Sequence, residues 1–412
     1  MEFYRMDELK FYYSNEGKVI NTDNIPFFFD KRDTSIIDTD EGEKEVLSFA
    51  GIILEKNKIF VSFPKHYELI DDNDYILDIQ LLFDTINKHY KENKMLYFTK
   101  TLNIKTNYPF NEFFEIYDYY QKYGIYHENL SEIYDGYNGN VSWRDTIKKS
   151  ATVINKKGIL FLPLKIKKVK RYQVLISECM SYAIDYTLQQ FSLFLDMPQV
   201  GGKSLEKDLL SNKDFIIREL YSLKNKFFKD IHKKLISNLI SFFEKLPGGG
   251  NYYLKHYSFS SVWEKMVNHY LNYHFEGIDD NRLIFKDNRS MVNKFEKATF
   301  YPNSANPRQN IQPDYYLDDG DTQYIFDAKY YNKIDSINYK QVAYYFFLKN
   351  ISVTNEKMKR KTTYNALILP GNYAQRVHFK FKRGFNIEEP DFIIYEYYLD
   401  VRKAMESYIN DD

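Results

Sequence analysis

Three residues in the C-terminal third of the chain, Asp314, Asp327 and Lys329, have the types and spacing for metal-assisted hydrolysis. Two neighbouring carboxylates suit a Mg²⁺ ion, for which Mn²⁺ can substitute, and a bound metal ion activates water as a nucleophile. The carbonyl of Ala328 offers a further oxygen ligand. A nearby lysine offsets the negative charge that builds up in the transition state. The residue types therefore predict a hydrolytic metal site.

A β-hairpin would bring these side chains together. The run Asp-Asp-Gly-Asp-Thr at 318–322 is typical of a turn between two apolar strands. If Gly320 and Asp321 form a two-residue loop, the ladder pairs residue 314 with residue 327. The two carboxylates are then opposite each other, with Cβ atoms about 4.5–5.5 Å apart. Lys329 shares the face of Asp327 because strand side chains alternate.

The three acids of the turn itself, Asp318, Asp319 and Asp321, have a simpler interpretation. Acidic residues are common in solvated turns, and we assign all three to that role. Asp327 and Lys329 differ because they end a run that reads as a buried strand.

The constellation resembles the core of the PD-(D/E)xK nucleases, with Pro313-Asp314 as the PD element and Asp327-Ala328-Lys329 as the (D/E)xK element. The segment 341–345, Gln-Val-Ala-Tyr-Tyr, resembles the QxxxY motif of RecB-like members. This resemblance implies that Gln341 and Tyr345 hold the DNA backbone or orient the lysine. Ordinary core packing is the alternative for Tyr345.

Glu264 lies on a predicted helix before the hairpin. The resemblance implies that such a glutamate is a further metal ligand. Ser261 and Glu264 also match the S-x-x-E capping box, in which the glutamate satisfies its own helix terminus. Both interpretations stay open from the sequence.

Composition limits the alternatives. The chain has 412 residues, and its 57 basic and 57 acidic residues balance, so a DNA surface must be local. The single cysteine, Cys179, excludes an intrachain disulfide and favours a cytoplasmic location. The N-terminus lacks an apolar signal segment, and no apolar stretch is long enough for a bilayer, so no membrane partner is expected.

The chain divides into three predicted domains. Residues 1–150 read as a mixed α+β region that binds DNA or a partner, and residues 151–250 as a mainly helical middle region. That region ends at Pro247 and three glycines, which break a helix. Residues 251–412 form the nuclease domain. We therefore expect a multidomain α/β and α+β protein with a PD-(D/E)xK restriction-endonuclease-like core, in which helices flank a mixed sheet.

Other charged or glycine-rich segments carry weaker signals. Basic clusters could contact phosphates or form solvated faces; they lie at 165–171, 357–361 and 380–383. Gly201-Gly202-Lys203-Ser204 resembles the end of a P-loop, but Met197 stands where the first glycine is required. We therefore predict no nucleotide hydrolysis by this chain.

The chain also resembles the LlaJI family of restriction endonucleases, relatives of McrC nuclease subunits. The matching phrases include GNVSWRDTIKKS at 139–150, SSVWEKMV at 260–267 and the hairpin motif. The resemblance implies an antiviral restriction system of bacteria and a partner, a McrB-like AAA+ GTPase.

These observations predict a metal-dependent deoxyribonuclease of type II or type IV restriction character that acts on double-stranded DNA. A non-catalytic DNA-binding adaptor that docks on a partner motor is one alternative. A RecB-like exonuclease is another. A homo-oligomer is also left open.

Overall fold

The computed structural model describes most of the chain, namely residues 10–39, 42–55, 57–69, 75–92, 103–156, 158–172, 174–195, 197–201, 213–248, 250–286, 290–354, 362–382, 384–385 and 392–410. The helices are α1 Ile76–Glu92, α2 Phe110–Tyr123, α3 Trp143–Lys149, α4 Leu175–Gln190, α5 Lys213–Lys224, α6 Asp230–Lys245, α7 Phe259–His274, α8 Tyr339–Thr354 and α9 Val401–Asn410. The strands are β1 Lys10–Asn15, β2 Thr34–Thr39, β3 Gly42–Leu47, β4 Ala50–Glu55, β5 Lys58–Phe63, β6 Ile104–Thr106, β7 Glu128–Gly136, β8 Asn140–Val141, β9 Ala151–Asn155, β10 Gly158–Leu162, β11 Leu164–Tyr172, β12 Asn251–His256, β13 Phe275–Asp279, β14 Arg282–Phe285, β15 Tyr315–Asp319, β16 Thr322–Ala328, β17 Thr362–Pro370, β18 Arg376–Lys380 and β19 Ile393–Leu399.

The chain folds into two compact units whose limits differ from the three predicted regions. One unit spans 107–248, and the other combines the segments before and after it, 2–106 and 249–412. The predicted boundary at residue 150 therefore falls inside the unit 107–248. The Gly-rich segment coincides with the C-terminal end of that unit. The division into three domains stays a prediction.

A long-range strand pairing joins the two segments of the discontinuous unit. β12 runs antiparallel to β4, with Asn251 opposite Glu55 and His256 opposite Ala50, within the sheet order β1-β5-β4-β12-β6. Gly51 permits this pairing, because its φ is +155° and a Cβ there would lie 2.0 Å from the Leu254 carbonyl oxygen. No local pattern predicts such a pairing.

The second five-stranded sheet of this unit has the order β15-β16-β17-β19-β18. β16, β17 and β19 are parallel, and the two edge strands are antiparallel to their neighbours. The predicted hairpin register is confirmed, since Asp319 pairs with Thr322 and Tyr315 with Phe326. Gly320 adopts the left-handed φ of +67° that the tight loop requires.

Helices cover both faces of this sheet. On one face, α8 packs on β16 and β17 through clusters that include Ile325, Leu348 and Leu367. On the other face, Trp263 of α7 lies beside β17, with its indole nitrogen 3.4 Å from the Ile368 carbonyl oxygen. Residues on β16 alternate between these faces, so Asp327 shares the α8 face with Ile325. Helix α7, the hairpin, helix α8 and strand β17 follow in this order along the chain.

The unit 107–248 contains α2 to α6 and two small sheets, β7-β11-β8 and β9-β10. In the first basic cluster, Lys165 lies on β11 and forms an ion pair with Asp135. The cluster at 357–361, Arg383 and the P-loop-like residues 202–204 lie outside the described residues. None of the helices in the described part of the chain is long and apolar enough to cross a bilayer.

Candidate active site

The hairpin brings Asp314 and Asp327 into direct contact. Asp314 immediately precedes β15, and its carboxyl group hydrogen-bonds with that of Asp327. The contact follows from the register, because the next pair beyond Tyr315 and Phe326 is 314 with 327. Two carboxyl groups this close together share a proton or bind a cation, since both cannot be ionised cheaply.

The environment of Asp327 favours its protonated form. Asp327 is only 4% exposed because the preceding strand residues bury it at the end of β16. Burial is the largest cause, and the hydrogen bond that the protonated Asp327 carboxyl group donates to Asp314 adds to it, so the pKa of Asp327 rises to about 7. The Lys329 ammonium opposes this increase. A buried carboxyl group that holds a proton near neutral pH is well prepared to exchange that proton for a cation.

Lys329 and Lys297 flank the acid pair. Lys329 forms an ion pair with Asp327, and Lys297 Nζ lies 3.8 Å from the Asp314 Oδ1 atom. The main chain fixes Lys329, because its N–H donates to the Ile368 carbonyl at 2.8 Å. The side chain of Lys329 is 22% exposed and therefore can reach a ligand in the adjoining cleft.

The structure resolves the two interpretations of Glu264. Helix α7 begins at Phe259 with Ser258 at its N-cap, and the Ser261 hydroxyl donates to the Ser258 carbonyl at 2.9 Å. Ser261 therefore lies inside the first turn, and the capping-box interpretation of Glu264 is wrong. Glu264 is free to serve another role, and burial together with Asp314 raises its pKa.

These groups line one cleft of about 890 Å³. Its charged residues are four acids and four lysines, namely Glu16, Glu264, Asp314, Asp327, Lys65, Lys297, Lys329 and Lys340. The lining charges therefore balance when all of them are ionised. A divalent cation would make the cleft positive, which suits a polyanionic ligand such as a nucleic acid.

The oxygen ligands of this cleft fit Mg²⁺ better than a metal ion that is coordinated entirely by protein side chains. In the described part of the chain, no three His, Cys, Asp or Glu side chains converge as a ready-made metal-ligand group. Mg²⁺ needs only one or two carboxylates, because water and substrate phosphates complete its octahedron. Asp314 and Asp327 meet this requirement, and Ala328 and Glu264 line the same cleft.

Helix α8 places the two residues of the QxxxY-like motif away from the cleft. Gln341 is fully buried, and its amide donates to the Ile325 carbonyl and the Asn365 side chain, both at 2.7 Å. Tyr345 packs in the core, where its ring centroid lies 4.3 Å from that of Phe392. Neither residue is among those that line the cleft. Their geometry indicates positioning and packing, which agrees with the alternative for Tyr345.

Sequence reasoning missed several residues of the cleft. Tyr344, the neighbour of Tyr345, lines it and donates to the Gln312 carbonyl at 3.1 Å. No spacing in the sequence indicated Tyr344, because its helical neighbour Gln341 lies in the core. Lys297 and Lys340 belong to none of the motifs found in the sequence.

A second group of missed residues comes from the N-terminal sheet. Tyr330, directly after Lys329, donates from its hydroxyl to Glu16 at 2.8 Å and accepts from the Lys65 main chain at 2.8 Å. Burial raises the pKa of Glu16, against the effects of Tyr330 and Lys65. Glu16 and Lys65 lie some 250 residues or more before the hairpin in sequence, so only the fold shows that they border the cleft.

Comparison with known proteins supports the resemblance. A solved structure described as a refined half-complex from the tetradecameric assembly of Thermococcus gammatolerans McrB AAA+ hexamers with bound McrC matches 98% of this chain and 99% of its own chain. Its identity is 10% and its TM-score is 0.38. A search of curated proteins finds no match. The model of the LlaJI restriction endonuclease family matches residues 49–393, which is most of the chain. The chain therefore belongs to the LlaJI restriction endonuclease family.

Proposed function

We propose that this chain is a Mg²⁺-dependent endodeoxyribonuclease that hydrolyses phosphodiester bonds of double-stranded DNA within a bacterial restriction system. The observation that supports this most strongly is the contact between Asp314 and Asp327 beside Lys329, at the edge of a charged cleft. Membership of a restriction endonuclease family gives the general class. The geometry supports Asp314, Asp327 and Lys329 as the centre for the chemistry.

The two aspartates would hold the metal ion, with the Ala328 carbonyl and Glu264 as further oxygen donors from the same cleft. When bound, Mg²⁺ polarises the phosphate and lowers the pKa of the attacking water. Mn²⁺ can substitute because it accepts the same oxygen ligands. Asp327 would release its proton on binding, since the cation replaces that proton as the partner of the carboxylate pair.

Lys329 would act on the reacting groups from the same strand as Asp327. Its ammonium lies against the Asp327 carboxylate and is partly exposed. In this position it can orient the attacking water and offset charge on the phosphate as the in-line displacement proceeds. The main-chain bond to Ile368 keeps the lysine in register with the acid pair.

The remaining lysines of the cleft would bind the DNA backbone. Lys65, Lys297 and Lys340 line the same space as the acid pair. Each lysine is a point charge that can neutralise a phosphate and release counterions. Because the chain as a whole has no net charge, affinity for DNA would depend on such local groups.

Gln341 would contribute indirectly, as a positioning residue. Its two hydrogen bonds tie α8 to β16 and β17 two residues before Asp327. This accounts for the QxxxY-like motif without an exonuclease-specific contact. The RecB-like exonuclease alternative therefore gains no support from the placement of Gln341 and Tyr345.

The direct test is cleavage of unmethylated plasmid with Mg²⁺ by the full chain, by Asp327→Asn and by the control Asp318→Asn. Asparagine is isosteric with a protonated aspartic acid, so the first variant keeps the fold but loses a metal ligand. We expect its cleavage to fall by at least about 10³-fold. Asp318 lies in the hairpin turn region, and its variant should cleave normally. Equal cleavage by all three proteins would reject this centre.

We also propose that the chain works with a McrB-like AAA+ GTPase, on the basis of the sequence resemblance. If the chain alone leaves plasmid intact, the three proteins are compared again with such a GTPase and GTP. Cleavage that requires Asp327 in that assembly supports the nuclease. Full cleavage of the plasmid by the assembly that contains the Asp327→Asn variant would instead support the non-catalytic adaptor.

A further inference from the structure

A second polar cluster lies on the same sheet, around the buried side chain of Glu396. Glu396 is 1% exposed, and its carboxylate accepts hydrogen bonds from Arg376 Nε, from His378 Nδ1 at 2.7 Å and from the Tyr398 hydroxyl. Burial alone would raise the pKa of Glu396, but the bonds from Arg376, Tyr398 and His378 outweigh it and lower the pKa. The cluster therefore contains an ionised acid with a fixed set of donors.

The strand register places this cluster in line with the proposed active centre. Asp327 pairs with Leu367, Leu367 pairs with Glu396, and Glu396 pairs with Arg376. Directly paired residues of neighbouring strands share a face, so Asp327, Glu396 and Arg376 form one row on one face. With strands about 4.8 Å apart, the Glu396 backbone lies roughly 10 Å from that of Asp327, and the Arg376 backbone roughly 15 Å.

A β-bulge aims two side chains at Glu396. The pairing of β18 with β19 shifts between Val377 and Phe379, so His378 is the additional residue. A bulge redirects side chains at the edge of a sheet. Here both Arg376 and His378 reach the same carboxylate, one at each oxygen atom.

Arg376 is held in place by Glu396, and its guanidinium has further N–H groups that can bind a ligand. A guanidinium has five N–H donors, and the anchor to Glu396 uses the one at Nε. The side chain is 48% exposed, and its guanidinium carbon lies 5.7 Å from the Tyr398 ring centroid. The two terminal amino groups therefore form a pre-oriented fork of the kind that binds a phosphate through two parallel hydrogen bonds.

His378 is a second polar side chain held by the Glu396 carboxylate. Its side chain is 5% exposed, and within the described residues its Nε2 atom has no hydrogen-bond partner. Buried polar atoms are normally satisfied by protein, by water or by a ligand. The surroundings of the Glu396 carboxylate, which holds both Arg376 and His378, are therefore polar.

We propose that Arg376 binds a backbone phosphate of duplex DNA, as a second contact point beside the cleavage centre, with Glu396 as the positioning residue. This inference rests on the proposed nuclease function. The row from Asp327 to Arg376 covers roughly 15 Å, which corresponds to about four nucleotides of rise along one strand. The contact would therefore hold the cleaved strand a few nucleotides from the scissile phosphate.

The test is binding of a 30-base-pair duplex by the full chain without divalent cation, over a series of salt concentrations. Arg376→Gln keeps a donor for Glu396 but removes the charge, and Arg376→Lys keeps the charge but loses the fork. Lys380→Ala is the matched control, because Lys380 lies on the same strand and pairs with Ile393 on the opposite face. The melting temperature of each variant checks its fold.

We expect Arg376→Gln to weaken binding about 5- to 10-fold and to reduce the slope of log K against log salt by about 1. Arg376→Lys should restore the slope but not the full affinity. Lys380→Ala should match the unmodified chain. An unchanged slope in Arg376→Gln, or an equal loss in Lys380→Ala, would overturn the inference.

The two proposals fail in different ways. If the unmodified chain binds no duplex, either alone or with the AAA+ GTPase, both the nuclease and the Arg376 contact are rejected. If the unmodified chain binds and cleaves DNA in a manner that requires Asp327, and Arg376→Gln binds with the same salt slope, only the role of Arg376 is rejected.

Discussion

A Lys–Asp ion pair lies at each of the two five-stranded sheets of the discontinuous unit, and the two pairs have different surroundings. In the N-terminal sheet, Lys255 Nζ lies 2.6 Å from Asp33 Oδ2, with side chains 3% and 0% exposed. In the other sheet, Lys329 pairs with Asp327, with side chains 22% and 6% exposed. The same two residue types form both pairs.

The pair in the N-terminal sheet is satisfied within the protein. Asp33 also accepts a hydrogen bond from the Tyr257 hydroxyl at 2.7 Å and one from the Asp30 main chain at 2.6 Å. Lys255 also lies over the Phe49 ring, 5.4 Å from its centroid. A buried charge with this many partners stabilises a fold and has little to offer a ligand.

The pair in the second sheet includes a second acid and borders a cleft. Asp327 contacts the Asp314 carboxyl as well as Lys329, and burial raises the pKa of Asp327 to about 7. An excess of acid at an open position is poorly satisfied until a cation arrives. Burial and an ion pair therefore do not identify a functional site. The additional like charge that faces a cleft is what distinguishes the pair of the candidate site.

The largest difference between the pairs should appear on removal of the lysine from the second sheet. We expect Lys329→Met to lower the rate of DNA cleavage by about 10²–10³-fold, because a charge beside the reacting phosphate is lost. Its melting temperature should stay within a few degrees, since a partly exposed lysine is removed and Asp327 can remain protonated. Single-turnover cleavage and thermal unfolding measure the two quantities. A large loss of stability with normal cleavage would reverse the assignment.

Removal of the lysine from the N-terminal sheet should have the opposite effect. Lys255→Met leaves Asp33 buried without its counter-ion, which costs about 3–5 kcal/mol of unfolding free energy. The fraction that remains folded should cleave DNA at the normal rate. Urea unfolding gives the stability, and cleavage normalised to folded protein gives the activity. A tenfold loss of normalised cleavage would show that the comparison is wrong.

A smaller effect should appear in the pH dependence of stability without metal. The pKa of Asp327 is about 7 in the folded chain and about 4 when unfolded. Between these values the folded state holds a proton that the unfolded state has lost, so stability falls as the pH rises from about 4 to 7. The slope is at most about 1.4 kcal/mol per pH unit.

The variant Asp327→Asn removes this contribution, because an asparagine side chain does not titrate. The difference in melting temperature between the variant and the unmodified chain should increase, in favour of the variant, as the pH rises through this range. Addition of Mg²⁺ at pH 7.5, a chosen assay value set just above the pKa of about 7, should stabilise the unmodified chain and have less effect on the variant. Parallel pH profiles for the two proteins would contradict the raised pKa of Asp327.

Much of the candidate site could be predicted because the information is local. The turn at Gly320 and the alternation of the flanking strands fix the hairpin register, and that register places Asp314 opposite Asp327. The apolar run before Asp327 indicates its burial. The helix before the hairpin that carries Glu264 was also predicted, and it is α7.

The roles of Glu264 and Tyr345 could not be predicted from spacing alone, because they depend on how the helices pack. Ser261 and Glu264 have the spacing of a capping box, but the helix starts two residues before Ser261. Tyr345 has the position of a motif residue, but α8 turns it into the core and presents Tyr344 to the cleft. Spacing shows which residues share a face, and only packing shows what that face contacts.

The sequence by itself determined the hairpin, its register and the pairing of two acids with a lysine, because turns and strand alternation act between residues that are close along the chain. The tertiary structure alone decided the pairing of β12 with β4, the approach of Glu16 and Lys65 to the cleft, and the alignment of Arg376 and Glu396 with Asp327. These contacts join residues that are far apart in sequence. Their geometry depends on how whole sheets and helices pack, which no short pattern records.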